Sequence, residues 1–293
     1  MKRDEIAICK SIIEQELHIA REIQEIKPMK EGMTNDSFLV KLRQSSLVVR
    51  LNGKASEYLV NRQNEQENYR ALQGYNISDE VLAISVPAGY KITKYIPGSR
   101  NCRKDYWPDV DRAIKYLRMF HNMPFTVPHK FDLWQQLRHY ESLAGAEKIN
   151  SREYCQIKSH LKQLLDIVSS LSPQYGFAHI DSVPDNFLFT EERTYLIDWE
   201  YAGMCDQHLD IAMFGIYAGY NQAEMDGLIE LYFGKVPPLD IRRKIYIYVA
   251  AGGLLWSNWC DIKRHEGIIM GDYATRQYEY AKHYVKLAYN MCI

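Results

Sequence analysis

The stretch His179-Ile180-Asp181-Ser182-Val183-Pro184-Asp185-Asn186, followed by Leu196-Ile197-Asp198-Trp199-Glu200, decides how the rest of this chain is read. Asp181 precedes Asn186 by five residues, so one tight loop can present both a carboxylate base and an oxygen ligand. An apolar run, Phe187-Leu188-Phe189, then predicts a strand, and a hairpin returns a second carboxylate, Asp198, twelve residues after Asn186. Transfer of a phosphoryl group to a hydroxyl needs such parts: a carboxylate to take the hydroxyl proton, and oxygen ligands for a divalent cation against the phosphates. A single His-x-Asp, or a single Asp and Asn at this spacing, is common in ordinary loops. The pair in this order, with an apolar strand between them, is far rarer and points to kinase-type chemistry.

Working outward, the N-terminal part supplies the components expected upstream. Gly32-Met33-Thr34-Asn35 reads as a turn between strands whose backbone N–H groups can approach phosphate oxygens. Arg50 ends a β-branched run, Leu47–Leu51, and Glu65 on a following polar helix over 57–73 is expected to pair with it and orient it. Apolar residues at helical spacing predict an opening amphipathic helix over 4–26, and further strands are expected at 81–84 and 90–95. The first hundred residues thus describe a small, mostly antiparallel lobe. From a composition shift at 96–100 onward, helices are predicted over 109–121, 132–146, 152–171, 207–233, 239–264 and 272–290. Asp206 and Asp210 fall at a helix start, as a cap and a brace for the catalytic loop.

Composition narrows the partners. The 293 residues carry 36 Lys and Arg against 37 Asp and Glu, so no global field draws the chain to nucleic acid or an anionic membrane. The six cysteines are scattered without a C-x-x-C pair, which argues against a zinc knuckle and fits a reducing compartment. Neither an apolar signal core nor a run long enough to span a membrane occurs, and a cytoplasmic location is expected.

Six stretches resemble the choline/ethanolamine kinase family, and in particular its bacterial choline kinases, within the larger group that includes aminoglycoside phosphotransferases. They are G-M-T-N-D-S-F-L-V (32–40), L-V-N-R-Q-N-E-Q-E-N (59–68), K-I-T-K-Y-I-P-G (91–98), H-I-D-S-V-P-D-N-F-L (179–188), L-I-D-W-E-Y-A-G (196–203) and L-L-W-S-N-W (254–259). The resemblance implies an α+β, bilobal, protein-kinase-like fold: an N-lobe over 1–96 with a small antiparallel sheet, and a larger, mostly helical C-lobe over 97–293. It further implies ATP and Mg²⁺ as cofactors, with Asp181 as base and Asn186 and Asp198 on the metal. Arg50, Glu65, Thr34 and Asn35 would serve the nucleotide phosphates, and adenine would lie against the backbone of the segment holding Lys94 and Ile96.

Choline is the acceptor that resemblance favours. A quaternary ammonium has no N–H to donate and is held by aromatic faces, each contributing about 0.5–2 kcal/mol. Trp256 and Trp259, three apart on one helix face, match the family's paired tryptophans, although such a pair on its own is more often core than cage. Glu200, Tyr201, Tyr217 and Tyr273 complete the expected substrate-binding set, with Tyr220 and Tyr278 as further aromatic candidates. Relatives often carry an acidic residue seven positions after Asp210, where this chain has Tyr217. Ethanolamine, thiamine or an aminoglycoside are alternative acceptors on the same fold. A non-catalytic module that binds choline or nucleotide is the reading from another class.

Overall fold

A computed structural model describes residues 2–29, 35–53, 56–168, 170–171 and 173–291. The expected turn Gly32-Met33-Thr34 lies outside the described residues, so nothing is said of Thr34.

Helix α1 (Lys2–Leu17) ends at His18, whose φ of 58° is left-handed and breaks the helical path. The predicted helix over 4–26 is therefore too long. Ile23–Pro28 is instead strand β1, whose ladder with the next strand outweighs its helical spacing. Strands β2 (Asn35–Leu42), β3 (Ser46–Asn52), β4 (Val81–Ser85) and β5 (Tyr90–Lys94) complete a five-stranded antiparallel sheet in the order β1-β2-β3-β5-β4. Alternation along the strands sorts its two faces. Phe38, Val40, Leu47, Val49 and Ile92 form one core with Cys9, Ile12 and Ile13 of α1. On the other face the register aligns Ser37, Arg50 and Lys91 across three neighbouring strands, a polar row.

Helix α2 (Arg62–Leu72) starts five residues later than the 57–73 pattern predicts. The Asn61 side chain accepts from Gln63 N and Asn64 N, and that N-cap fixes the first turn. Its buried Tyr69 and Leu72, with Leu59 and Val60 before it, join the core of the helical lobe and not that of the sheet.

Beyond Lys94 come β6 (Arg100–Asn101), α3 (Trp107–His121), α4 (Leu133–Leu143), the single turn α5 (Ala146–Ile149) and α6 (Arg152–Val168). Strands β7 (Tyr175–Ala178), β8 (Phe187–Phe189), β9 (Thr194–Leu196) and β10 (Gly203–Asp206) form two small sheets, β10-β7 and β6-β8-β9. The helix expected to begin near Asp206 begins after β10, and the run 207–233 divides into α7 (His208–Ala218) and α8 (Gln222–Phe233). Gly219, at φ 82°, ends the first, and a capping box between Asn221 and Glu224 starts the second. The last helices are α9 (Leu239–His265) and α10 (Asp272–Asn290). The 27-residue α9 is buried on almost every side, the pattern of a central helix. Gly253 lets α10 approach: a β-carbon there would stand 2.6 Å from the Gln277 carbonyl oxygen. Among the described residues no helix is long and apolar enough to cross a membrane.

Candidate active site

The catalytic loop leaves β7 at Ala178 and is braced from α7. Asp210 accepts hydrogen bonds from His179 N (2.8 Å) and Ile180 N (2.6 Å), while its carbonyl accepts from Ser182 Oγ (2.7 Å). The bracing role expected of Asp210 is met by these bonds. Asp206 closes β10 and accepts from His208 N, which satisfies a first-turn donor of α7. Burial pushes the His179 imidazole down to about 4. It sits neutral, its Nε2–H donating to the Ile197 carbonyl (2.9 Å) and so tying the loop to the strand that follows. Ile180 and Asp198 both have left-handed backbones, φ 70° and 68°. A β-branched residue there is strained, and it persists because Asp210 over-determines the turn.

That turn delivers Asp181 and Asn186 to one cavity of about 200 Å³, with Asp198 reaching it from beyond β9. Asn186 Nδ2 donates to the Asp181 carbonyl (2.8 Å) and to its carboxylate (3.1 Å), fixing that side chain. Burial, with Asp198 and Glu200 nearby, raises the Asp181 carboxyl well above the usual carboxylate range. Trp199 turns the other way into the core, so the Asp-Trp-Glu run sends its two acids to the cleft and its ring to the interior.

On the sheet side, Arg50 pairs with Glu65 through two bonds of 2.6 and 2.7 Å. Arg62 bonds Glu65 (2.8 Å), Glu200 (2.7 Å) and Asn35 Oδ1 (2.7 Å), and Asn35 Nδ2 donates back to Glu200 (3.0 Å). Lys91 adds Glu65 (3.2 Å) and the Tyr69 hydroxyl (2.6 Å). Burial opposes ionisation of Glu65, but Arg50, Lys91 and Arg62 win and hold its carboxyl well below the usual range. Arg62 and Lys91 were not singled out as site residues in the sequence. The available signal was Arg62 three positions before Glu65, on one helix face. Asn68 of α2 donates to the carbonyls of Trp199 and Ala202, both at 2.9 Å, so the helix is also pinned to the catalytic segment.

The opposite wall is aromatic. Trp256 and Trp259 meet at 83° with centroids 6.0 Å apart, Tyr201 stands at 89° to Trp256 (5.6 Å), and Tyr217 lies 6.1 Å from Tyr273. These perpendicular contacts make the corner of a box whose rings face the cavity in different directions. Asn35, Arg50, Asp181, Asn186, Asp198, Glu200, Tyr201, Tyr217, Trp256, Trp259 and Tyr273 all line this one cavity. Glu65 does not; it is buried behind Arg50. The Lys94 side chain is on the α1 face of the sheet, where it meets Glu80 (2.7 Å), because it pairs in register with core-facing Leu47. Tyr220 and Tyr278 are elsewhere, bonded to the Lys104 carbonyl and Glu153. Asp185, which also lines the cavity and accepts from the Tyr217 hydroxyl (2.8 Å), went unremarked in the sequence.

The family model for choline/ethanolamine kinase matches residues 26–231. The chain belongs to the choline/ethanolamine kinase family. Protein LicA of Haemophilus influenzae is 27% identical over 267 residues, covering 85% of this kinase and 97% of that protein. Choline kinase LicA from Streptococcus pneumoniae, a solved structure, superposes with a TM-score of 0.84 at 26% identity, covering 97% of this chain and 99% of that one. A structure of LicA in complex with AMP superposes at 0.79, also 26% identical, covering 96% and 98%.

A family kinase implies a divalent ion, and the residues present fit one. Asp198 Oδ1 is buried and has no hydrogen-bond partner; Arg50 Nη1, at 3.5 Å, is its nearest cation. Among the described residues no three His, Cys, Asp or Glu gather as a metal cluster by themselves. One carboxylate and one amide, with phosphates and waters completing the shell, is a donor set suited to Mg²⁺.

Proposed function

We propose that this kinase transfers the γ-phosphate of ATP to the hydroxyl of choline, giving phosphocholine. The observation that carries the reading is a single cavity in which Asp181 shares space with an aromatic box and, among the described residues, no unpaired cation. A trimethylammonium group suits that box, since its attraction to ring faces needs no hydrogen bond.

Held by Trp256, Trp259, Tyr201, Tyr217 and Tyr273, the acceptor turns its hydroxyl toward Asp181. Asp181 takes the hydroxyl proton as the new O–P bond forms and the bond to the departing ADP breaks. Its raised proton affinity suits a group that must accept a proton near neutral pH. Asn186 keeps the Asp181 carboxylate oriented, and Arg50, aligned by Glu65, reaches the phosphates. Asn186 and Asp198 would hold Mg²⁺, which would supply neutralisation of the charge that builds on those phosphates. Adenine lies against the backbone of Lys94 to Ile96, and Asn35, which lines the cavity, faces the phosphates. Nucleotide binding is supported by the AMP complex of LicA. On this reading 1–96 is the nucleotide-binding lobe, 97–293 carries the acceptor pocket, and the reaction takes place in the cytoplasm.

A coupled assay of ADP release across choline, ethanolamine, thiamine and an aminoglycoside tests it. Choline should give the highest kcat/KM by at least about tenfold, a gap of about 1.4 kcal/mol. Release no faster with any acceptor than without one would leave a binding module, and a clear preference for ethanolamine would reassign the substrate.

A further inference from the structure

Behind the wall made by Tyr217 and Tyr273 lies a second cavity of about 420 Å³, which shares Asp185 and both tyrosines with the catalytic one. Asp181, Asn186 and Asp198 do not line it, so it holds no group for the transfer itself. Its distinguishing charges are cationic, Lys104 and Arg276. Arg276 has no acidic partner among the described residues, and it is seated against Gly219, where any side chain would collide with the guanidinium. Lys104 is fixed through its backbone, whose carbonyl accepts from Tyr220 (2.6 Å), while its ammonium meets exposed Asp105 (3.0 Å).

Transfer changes the charge of the acceptor. Choline is a monocation; its phosphate ester gains about −1.5 to −2 at pH 7. In the catalytic cavity that new charge stands among Asp181, Asp185, Asp198 and Glu200, with Arg50, shared with Glu65 and the nucleotide phosphates, as the cation of the described lining. The second cavity offers the complement of a zwitterion: an acid and two rings at the shared wall, two cations beyond it. We propose that this second cavity binds the phosphorylated product, its trimethylammonium against Tyr217, Tyr273 and Asp185 and its phosphate against Lys104 and Arg276. The second cavity then offers the ester phosphate two cations, where the lining of the catalytic cavity offers Arg50 among four acids, and the shared wall marks the product's way out. The proposal rests on the acceptor being a cationic alcohol.

Calorimetric titration of phosphocholine into the full chain, saturated in turn with choline and with ADP, tests it. Binding should survive both additions, and Arg276→Gln and Lys104→Gln should each weaken it about tenfold, or about 1.4 kcal/mol. Both residues are at the surface, and a matching melting temperature verifies that each variant is folded. Displacement by choline would return the product to the catalytic cavity and overturn the proposal. So would displacement by ADP, which would give the cations to nucleotide phosphates, or unchanged affinity in both variants. Absence of turnover with choline strikes the acceptor assignment alone, because the titration needs no catalysis.

Discussion

On the sheet side of the cleft, Arg50, Arg62 and Lys91 converge on Glu65 and Glu200 through bonds of 2.6–3.2 Å. On the helical side, Trp256, Trp259 and Tyr201 meet edge to face without any ion pair among them. The two walls differ in how they fail. Each buried charge relies on several partners, so removing one member strands the others in a medium that punishes unpaired charge. Each ring contributes a modest, separable attraction, so losses there accumulate one at a time. On the proposed reading, the ionic wall sets positions and the aromatic wall sets preference.

The largest effect should come where the walls meet. Asp181→Asn keeps the shape of the loop but removes the proton acceptor, and kcat should fall about 10²–10⁴-fold. Near-normal turnover in steady-state assays would remove Asp181 from the chemistry. Next, Glu65→Gln leaves Arg50, Arg62 and Lys91 around a neutral amide. A loss of about 3–5 kcal/mol is expected in denaturant unfolding, and a loss below about 1 kcal/mol would mean that this wall is as tolerant as the aromatic one.

His179 gives the acid limb. With its imidazole held near 4 by burial and an unfolded value near 6.5, the unfolded chain binds more protons between those pH values. Its stabilisation is therefore complete above about pH 6.5 and is lost as pH falls toward 4, up to about 3 kcal/mol. Melting temperature against pH should fall less steeply in His179→Gln, and identical slopes would contradict a neutral buried ring. On the aromatic wall, Trp256→Leu keeps an apolar, though smaller, side chain while removing a π face. KM for choline should rise about 3–30-fold with KM for ATP unchanged; equal changes in both would make Trp256 a core residue only. Smallest of all, Tyr217→Phe frees Asp185 and should shift KM for choline about twofold, the scale of one exposed hydrogen bond.

The convergence of Asp181, Asn186 and Asp198 was legible because their pattern is local: a carboxylate, an amide and a second carboxylate at short spacing, separated by a strand too apolar to be a loop. The aromatic wall was legible through the family resemblance, since two tryptophans on one face of α9 read by themselves as core. Arg62 and Lys91 were not, because their direction depends on the Asn61 cap and on the β3–β5 register, neither of which is printed in composition. Lys94 illustrates the same limit. One position along β5 separates the cleft face from the α1 face, and only register decides which side a lysine takes. Strand β1 hid behind helical spacing, since Ile23 and Ile26 suit a turn of helix until β2 offers them a ladder. The Tyr217–Asp185 bond joins residues 32 apart from different elements, beyond the reach of any local pattern.

Helix α2 precedes two strands of the upper sheet in the chain, yet mechanically it is a tenant of the floor below. Tyr69 and Leu72 are sunk in the lower core, and Asn68 and Arg62 grip the Trp199–Ala202 segment. Rocking the sheet away from the helical body would thus leave α2 where it is and part Arg50 from Glu65, making that pair the clasp of the molecule. A jaw fastened this way would shut to one fixed alignment, set where Arg50 meets Glu65.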